Sequence, residues 1–143
     1  EKGDYKTSFT ILEELASKGD INAQYNLGVM YERGQGVKQD YKKAFEWYEK
    51  SAIQGIANAQ HNLGVMYSNG KGVKQDYKKA FEWYEKAATQ GIAEAQNNLG
   101  VMYDDGYGVR QDKKRGKEWF GKACDNGFQM ACDNYKILNQ QGY

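Results

Sequence analysis

This chain of 143 residues offers few thiolate or imidazole metal ligands: one histidine, His61, and two cysteines, Cys124 and Cys132. It contains no Cys-x-x-Cys and no His-Glu-x-x-His, so the spacings of the common zinc sites are missing and no metal or other cofactor is expected. No apolar run approaches the length of a membrane span, so bilayer insertion is not expected. Neither sign of charge is in excess, since 20 Lys and Arg stand against 19 Asp and Glu for a net charge of +1. A surface so balanced gathers neither phosphate backbones nor anionic lipid, which removes nucleic acid from the expected partners. The opening Glu1-Lys2-Gly3-Asp4 lacks the charged-then-apolar pattern of a secretion leader; such a leader has been removed or none existed. An apolar content of 40% in this length suits one domain with a core.

What the chain has in abundance is itself. Leu27-Gly28-Val29-Met30-Tyr31 returns as residues 63–67 and 99–103, a period of 36 residues. Residues 23–58 and 59–94 differ at seven positions: 25/61, 32/68, 33/69, 35/71, 51/87, 53/89 and 58/94. A tandem array of one stacking unit builds an extended surface, whereas a catalytic centre needs unlike residues converging at one point.

Within one unit, Ala23, Leu27, Met30 and Tyr31 fall on one helical face, which predicts a helix A. Gly28 beside that stripe weakens the helix unless a neighbouring backbone approaches closely, so the next helix is expected to pack tightly there. Gly34-Gln35-Gly36 ends helix A, and Asp40, like Asp76 and Asp112, is placed to cap a helix B. Tyr41, Ala44, Phe45, Trp47, Tyr48, Ser51 and Ala52 give helix B an apolar face wide enough for more than one neighbour. Gly55 closes it. Tyr5, Phe9, Ala16 and Gly19 stand one period before Tyr41, Phe45, Ala52 and Gly55, so residues 4–19 read as a lone helix B. At the other end Tyr77 and Phe81 become Lys113 and Lys117, which reads as a cap. The two lost aromatics are expected to be those that pack against a following helix B. The expected architecture is all-α: eight helices in one right-handed solenoid over 1–143, with a half repeat at 4–19, repeats at 20–55, 56–91 and 92–127, and a capping helix with its tail at 128–143.

The motifs Ala-Gln-x-Asn-Leu-Gly-Val-Met-Tyr (23–31), Gly-x-Gly-Val (34–37) and Asp-Tyr-Lys-Lys-Ala-Phe-Glu-Trp-Tyr (40–48), with Ala52 and Gly55, closely resemble the Sel1-like repeat family of tetratricopeptide-like solenoids. The third unit departs from the pattern where Gly116, Lys117 and Gly121 replace Ala80, Phe81 and Glu85. The resemblance implies an adaptor that holds a protein or an extended peptide on a concave face lined by the A helices. Carried over residue by residue, that face comprises Asn22, Tyr25, Asn26, Val29, Glu32 and Arg33; then Asn58, His61, Asn62, Val65, Ser68 and Asn69; then Glu94, Asn97, Asn98, Val101, Asp104 and Asp105. Four of the seven differences between the first two units fall in this set, while Lys42, Lys43, Glu46, Glu49 and Lys50 on helix B recur unchanged. Asn26, Asn62 and Asn98 recur in register, either as a ladder for a peptide backbone or as bonds to a neighbouring helix end. The acidic residues Glu94, Asp104 and Asp105 suit a basic segment.

Cys124 and Cys132 also resemble the cysteine-rich bacterial branch of the family, in which such a pair staples a helix B to the following helix A. Bonded, they imply a periplasmic or secreted protein; as two buried thiols, a cytoplasmic one. The same branch brings a second reading, a secreted protein acting on cell-wall or β-lactam material, for which Ser68-Asn69-Gly70-Lys71 offers a Ser-x-x-Lys motif. That motif needs both side chains one turn apart on one helix, and Gly70 is expected to end the helix first. No catalytic residue is therefore assigned. A structural segment of a longer array is a third reading. Oligomeric state is open, since the apolar surface of residues 4–18 is able to drive pairing of two chains.

Overall fold

The computed structural model describes residues 2–143, with side chains from residue 4 onward; Glu1 lies outside the described residues. Among these there are eight helices and no strand: α1 Lys2–Ser17, α2 Ile21–Arg33, α3 Tyr41–Ile53, α4 Ala57–Asn69, α5 Tyr77–Thr89, α6 Ala93–Asp105, α7 Lys113–Asp125 and α8 Gln129–Gln140. The odd-numbered helices are the B type and the even-numbered ones the A type. They fall into two compact units, Glu1–Gln75 with α1 to α4 and Asp76–Tyr143 with α5 to α8.

The helix ends follow from side-chain chemistry. Asp40, Asp76 and Asp112 each accept a hydrogen bond from the backbone N–H three residues on, satisfying a first-turn donor of α3, α5 and α7. Gly34, Gly70 and Gly106 end the A helices in the left-handed conformation. Helices α4 and α6 begin at Ile56 and Ile92 without a side-chain cap. Their attachment comes one turn later. The buried Gln24, Gln60 and Gln96 donate from Nε2 to the carbonyls of Ala16, Ala52 and Ala88, tying each A helix to the B helix before it.

In the first unit, α2 packs on α3 at Gly28, where a Cβ would come within 2.6 Å of the Tyr48 ring. Only glycine lets the ring lie flat on the helix there. Phe9 of α1 meets Tyr31 of α2 edge to face at 5.5 Å, and Phe45 of α3 meets Tyr67 of α4 in the same way at 5.3 Å. Gly36 and Gly72 have φ of +72° and +71°, and a Cβ on either would strike the carbonyl of Tyr5 or Tyr41 in the preceding B helix. These glycines combine a turn with a close backbone approach.

The second unit repeats the scheme and then alters it. Phe81 meets Tyr103 edge to face at 5.3 Å, Tyr77 stacks on Tyr107 at 5.0 Å, and Gly108 sits against the Tyr77 carbonyl. The aromatics at positions 5, 9, 41, 45, 77 and 81 therefore pack against the following A helix and the loop after it, not against a following B helix as expected. Helix B offers them the A-helix side because its opposite face is already occupied by the A helix of its own repeat. Lys113 and Lys117 accordingly do not face an empty end. Lys117 Nζ donates to Asn139 Oδ1 at 2.8 Å and to the Tyr143 carbonyl at 2.6 Å, while Lys113 Nζ lies 5.9 Å from the Tyr143 ring centre. Asn139 stands where the earlier A helices carry Tyr31, Tyr67 and Tyr103. An aromatic pair has become an amine–amide pair.

Helix α7 tolerates its glycines. Phe120 is buried against Gly100, and a Cβ at Gly116 would come 2.9 Å from the Gly100 carbonyl, so two facing glycines bring α6 and α7 close together. Phe120, Ala123, Ala131 and Leu138 form the core beneath α8. Cys124 of α7 and Cys132 of α8 are bonded, with their Cα atoms 4.7 Å apart.

Candidate functional site: the outer face of the A helices

Helix geometry sorts the expected partner-binding residues into two groups. On α2, Asn22, Asn26 and Arg33 are exposed and Val29 is half-buried between them, a stripe at spacings of four, three and four residues. The same stripe on α4 is Asn58, Asn62, Val65 and Asn69, with Asn62 and Val65 half-buried. On α6 it is Glu94, Asn98, Val101 and Asp105, where Asn98 is half-buried and Val101 rests on the Phe120 cluster.

Of the remaining six residues, Tyr25, Glu32, Asn97 and Asp104 meet neighbouring helices. Tyr25 lies against the Tyr48 ring at 5.8 Å between centres, and Glu32 accepts the Tyr48 hydroxyl hydrogen bond at 2.6 Å. Burial, reinforced by the Glu32 carboxylate, pushes the Tyr48 phenol well above its ordinary range. His61 is only 8% exposed and Asn97 is buried with its Oδ1 accepting from Asn134 Nδ2 at 3.2 Å, so neither is presented to solvent as expected of the face. The reason is spacing: positions 25 and 97 precede the packing glycines at 28 and 100 by three residues, which puts them on the side of the helix that receives a neighbour. Ser68 is half-buried. Asp104 is paired with Lys113 Nζ at 2.6 Å, and that hydrogen bond raises the ammonium pKa. The acidity of the α6 face is therefore lower than its sequence implies, and rests on Glu94 and Asp105.

These contacts also change the meaning of the differences between the first two units. Positions 25 and 32 meet the ring and the hydroxyl of Tyr48, which is internal packing. Positions 33/69 and 58/94 lie on the exposed stripe. Position 35, outside the expected face, touches the preceding B helix: Gln35 Nε2 lies 3.5 Å from the Tyr5 hydroxyl, and Lys71 Nζ lies over the Tyr41 ring at 5.3 Å. Each partner is 30 residues upstream, and that fixed offset from the B-helix tyrosine was the signal available in the sequence. The buried glutamines at 24, 60 and 96 were likewise legible only as an unvarying polar position inside an apolar stripe.

Ser68 is on α4, which ends at Asn69, and Gly70 turns the chain with φ of +67° before Lys71. The two side chains do not share a helical turn, as the sequence leads one to expect, and Lys71 is engaged with Tyr41. No group of three or more His, Cys, Asp or Glu side chains among the described residues is placed to hold a metal ion, and no helix is long and apolar enough to cross a membrane.

A family model described as Sel1 repeat matches residues 21–56, 57–92 and 93–133. No match emerges among proteins of curated function. Among solved structures, a protective antigen present in uropathogenic Escherichia coli strains and displaying an SLR fold is 39% identical with a TM-score of 0.90, over 92% of this chain. This chain spans 28% of that protein's length. A Sel1 repeat protein from Oxalobacter formigenes is 38% identical with a TM-score of 0.81, the match covering 90% of this chain and 96% of that one. Helicobacter pylori cysteine rich protein B is 27% identical with a TM-score of 0.72, over 92% of this chain and 95% of that one. With three repeat matches that cover most of its length and helices that superpose on such neighbours, the chain belongs to the Sel1 repeat family of all-α helical solenoids.

Proposed function

We propose that this protein is a non-catalytic adaptor that holds an extended segment of another protein along the exposed stripes of its A helices. The Sel1 scaffold is one that commonly mediates protein interactions. One observation carries the finer reading. In each repeat an amide at position 26, 62 or 98 is followed three residues later by a valine, of which Val29 and Val65 are half-buried and Val101 packs on the Phe120 cluster. Asn26 and Asn22 are exposed on α2, and an amide offers two donors and an acceptor at fixed spacing, which matches the alternating N–H and C=O groups of an extended peptide. The valines supply apolar contact between the amides. Unlike Tyr25 and Glu32, which contact Tyr48, Asn22 and Asn26 are reached without unpacking a helix.

The stripe on α6, with Glu94 and Asp105, favours a basic or amino-terminal stretch of the partner over that unit. The Cys124–Cys132 bond supports a location outside the cytoplasm, periplasmic or secreted, where such bonds persist.

The test is a cross-linking pull-down from envelope and cytosolic extracts, using the parent and an Asn26→Ala, Asn62→Ala, Asn98→Ala variant shown to melt like the parent. A protein captured by the parent from the envelope fraction and lost by the variant establishes both the surface and the compartment. Equal capture by both chains removes the A-helix stripe from the mechanism.

A further inference from the structure

Arginine is scarce in this chain, with Arg33, Arg110 and Arg115 its only examples. The position of Arg110 carries Lys38 and Lys74 in the first two repeats, and that of Arg115 carries Lys43 and Lys79. Both exchanges keep the charge and change the shape of the group that carries it. Both also fall on one cleft, between the end of α6 and the start of α7. It has a volume of about 430 Å³ and is lined by Tyr103, Val109, Arg110, Gln111, Asp112 and Arg115. Arg110 and Arg115 are exposed, and so are Lys38 and Lys43, although α4 follows them in the array. The opening therefore belongs to the repeat itself, and what distinguishes the third one is its pair of guanidinium groups.

The walls of the cleft are fixed by internal contacts. Gln111 Nε2 donates to the Asp104 carbonyl at 2.8 Å and the Asp112 N–H to the Tyr103 carbonyl at 2.8 Å, which ties the loop to the end of α6. Asp112 caps α7 through Oδ1 and keeps Oδ2 at 3.6 Å from Arg115 Nε. The Arg115 guanidinium carbon lies 6.0 Å from the centre of the buried Tyr103 ring, and the Tyr103 hydroxyl accepts a hydrogen bond from the guanidinium, the largest cause of its raised pKa. Lys43 holds the equivalent place over Tyr31 at 5.6 Å. Two guanidinium groups against the single carboxylate of Asp112 leave the cleft one positive charge in excess. A monoanion balances that excess, whereas a dianion brings surplus negative charge against Asp112. A guanidinium presents paired N–H donors in a planar fork that matches the two oxygens of a carboxylate, which an ammonium does not. Half-buried Val109 offers an apolar wall to the carbon stem behind such a group.

We propose that this cleft is a carboxylate-binding site, which takes a monoanionic carboxylate on a short carbon stem through the guanidinium groups of Arg110 and Arg115. A glutamate side chain of another protein and a free carboxylic acid share this chemistry. The cleft lies apart from the exposed stripes of the A helices, so the proposal does not rest on the adaptor reading.

The experiment uses heteronuclear NMR of the full chain, in which each arginine gives its own Nε–H signal. Single Arg→Lys exchanges assign the signals, and Arg33 serves as the internal control. Acetate, the blocked tripeptide N-acetyl-glycyl-glutamyl-glycinamide and inorganic phosphate are titrated separately at constant ionic strength. The carboxylate probes are expected to shift the Arg110 and Arg115 signals saturably and to leave Arg33 in place. The double variant Arg110→Lys, Arg115→Lys restores the residues of the first two repeats at unchanged charge and is expected to melt like the parent. Read from the Gln111 and Asp112 amides, its affinity for the carboxylate probes is expected to fall by about tenfold or more. Tighter binding of the tripeptide than of acetate supports the site with a peptide side chain as its ligand, and equal binding supports it with a free acid. The proposal is overturned by the absence of a saturable shift, by equal shifts of all three arginines, by undiminished binding in the double variant, or by phosphate bound more tightly than either carboxylate.

Discussion

Ser51 is the one buried side-chain oxygen or nitrogen among the described residues that lacks a hydrogen-bond partner. It sits fully buried on α3, and the equivalent positions in the next two repeats are Ala87 and Ala123, both also fully buried. Replacing Ser51 by Ala removes a hydroxyl that folding takes from water without compensation, a cost of about 1–3 kcal/mol. Alanine adds a few tenths of a kcal/mol through its better helix propensity, of order 0.5 kcal/mol. Losing one oxygen's worth of packing offsets part of this, which leaves an expected stabilisation of about 1–2 kcal/mol and a melting temperature higher by about 3–6 °C. Urea unfolding followed by far-UV circular dichroism reads it as a raised midpoint at unchanged slope. The reverse exchange, Ala87→Ser, is expected to lower the midpoint by a similar amount. A neutral or destabilising Ser51→Ala would refute the reasoning, because it requires the hydroxyl to find an acceptor in solution, such as the carbonyl one turn back on α3.

Reducing Cys124–Cys132 opens a loop with a sequence separation of eight, and the chain-entropy relation puts the loss at about 2.5 kcal/mol; thermal melts with and without reductant measure it, and an unchanged melt contradicts it. Gly36→Ala forces a side chain to a φ of +72° and onto the Tyr5 carbonyl, with an expected cost of about 3 kcal/mol, whereas Gly55→Ala at φ +101° meets nothing within 4 Å and is expected to cost about 1 kcal/mol from backbone strain alone. Paired urea melts separate the two, and equal costs remove the close approach from the account. The Tyr48 phenol is held up by burial and Glu32, so the folded form keeps a proton that the unfolded chain releases above about pH 10. Its contribution is fully present below that pH and declines as pH rises toward the raised folded value. Tyr48→Phe is therefore expected to lose about 1 kcal/mol at neutral pH and to show a shallower decline from pH 10 to 11.5 than the parent, and parallel declines would refute it.

The period of 36 residues, the capping aspartates and the glycine turns are enough to place the helices from sequence, because each is a local matter: a 3.6-residue apolar period, a carboxylate beside free amides, a left-handed turn. Gly28 was also legible, since a glycine inside an apolar stripe asks for a close neighbour. The direction in which a helix turns its side chains was not. Whether residue 25 or 26 faces solvent depends on which flank the next B helix occupies, and a rotation of one position decides between Tyr25 against the Tyr48 ring and an exposed Asn26. The Asp104–Lys113 pair was hidden for a related reason, as nine residues and a loop separate two side chains that only the interhelix turn brings together.

Near-identical repeats create a problem of address during folding. Phe9, Phe45 and Phe81 all seek a tyrosine at the same place on an A helix, and Tyr31, Tyr67 and Tyr103 are interchangeable as far as the edge-to-face contact is concerned. A chain built wholly of such pairs has several stackings of similar energy, shifted by one repeat. Lys117 and Asn139 break that degeneracy. An amine set against Tyr31 or Tyr67 loses its amide acceptor, and a phenylalanine set against Asn139 leaves an amide without its partner, so α7 and α8 recognise each other and no earlier helix. The polar pair between α7 and α8 is therefore also the mark from which the register is counted.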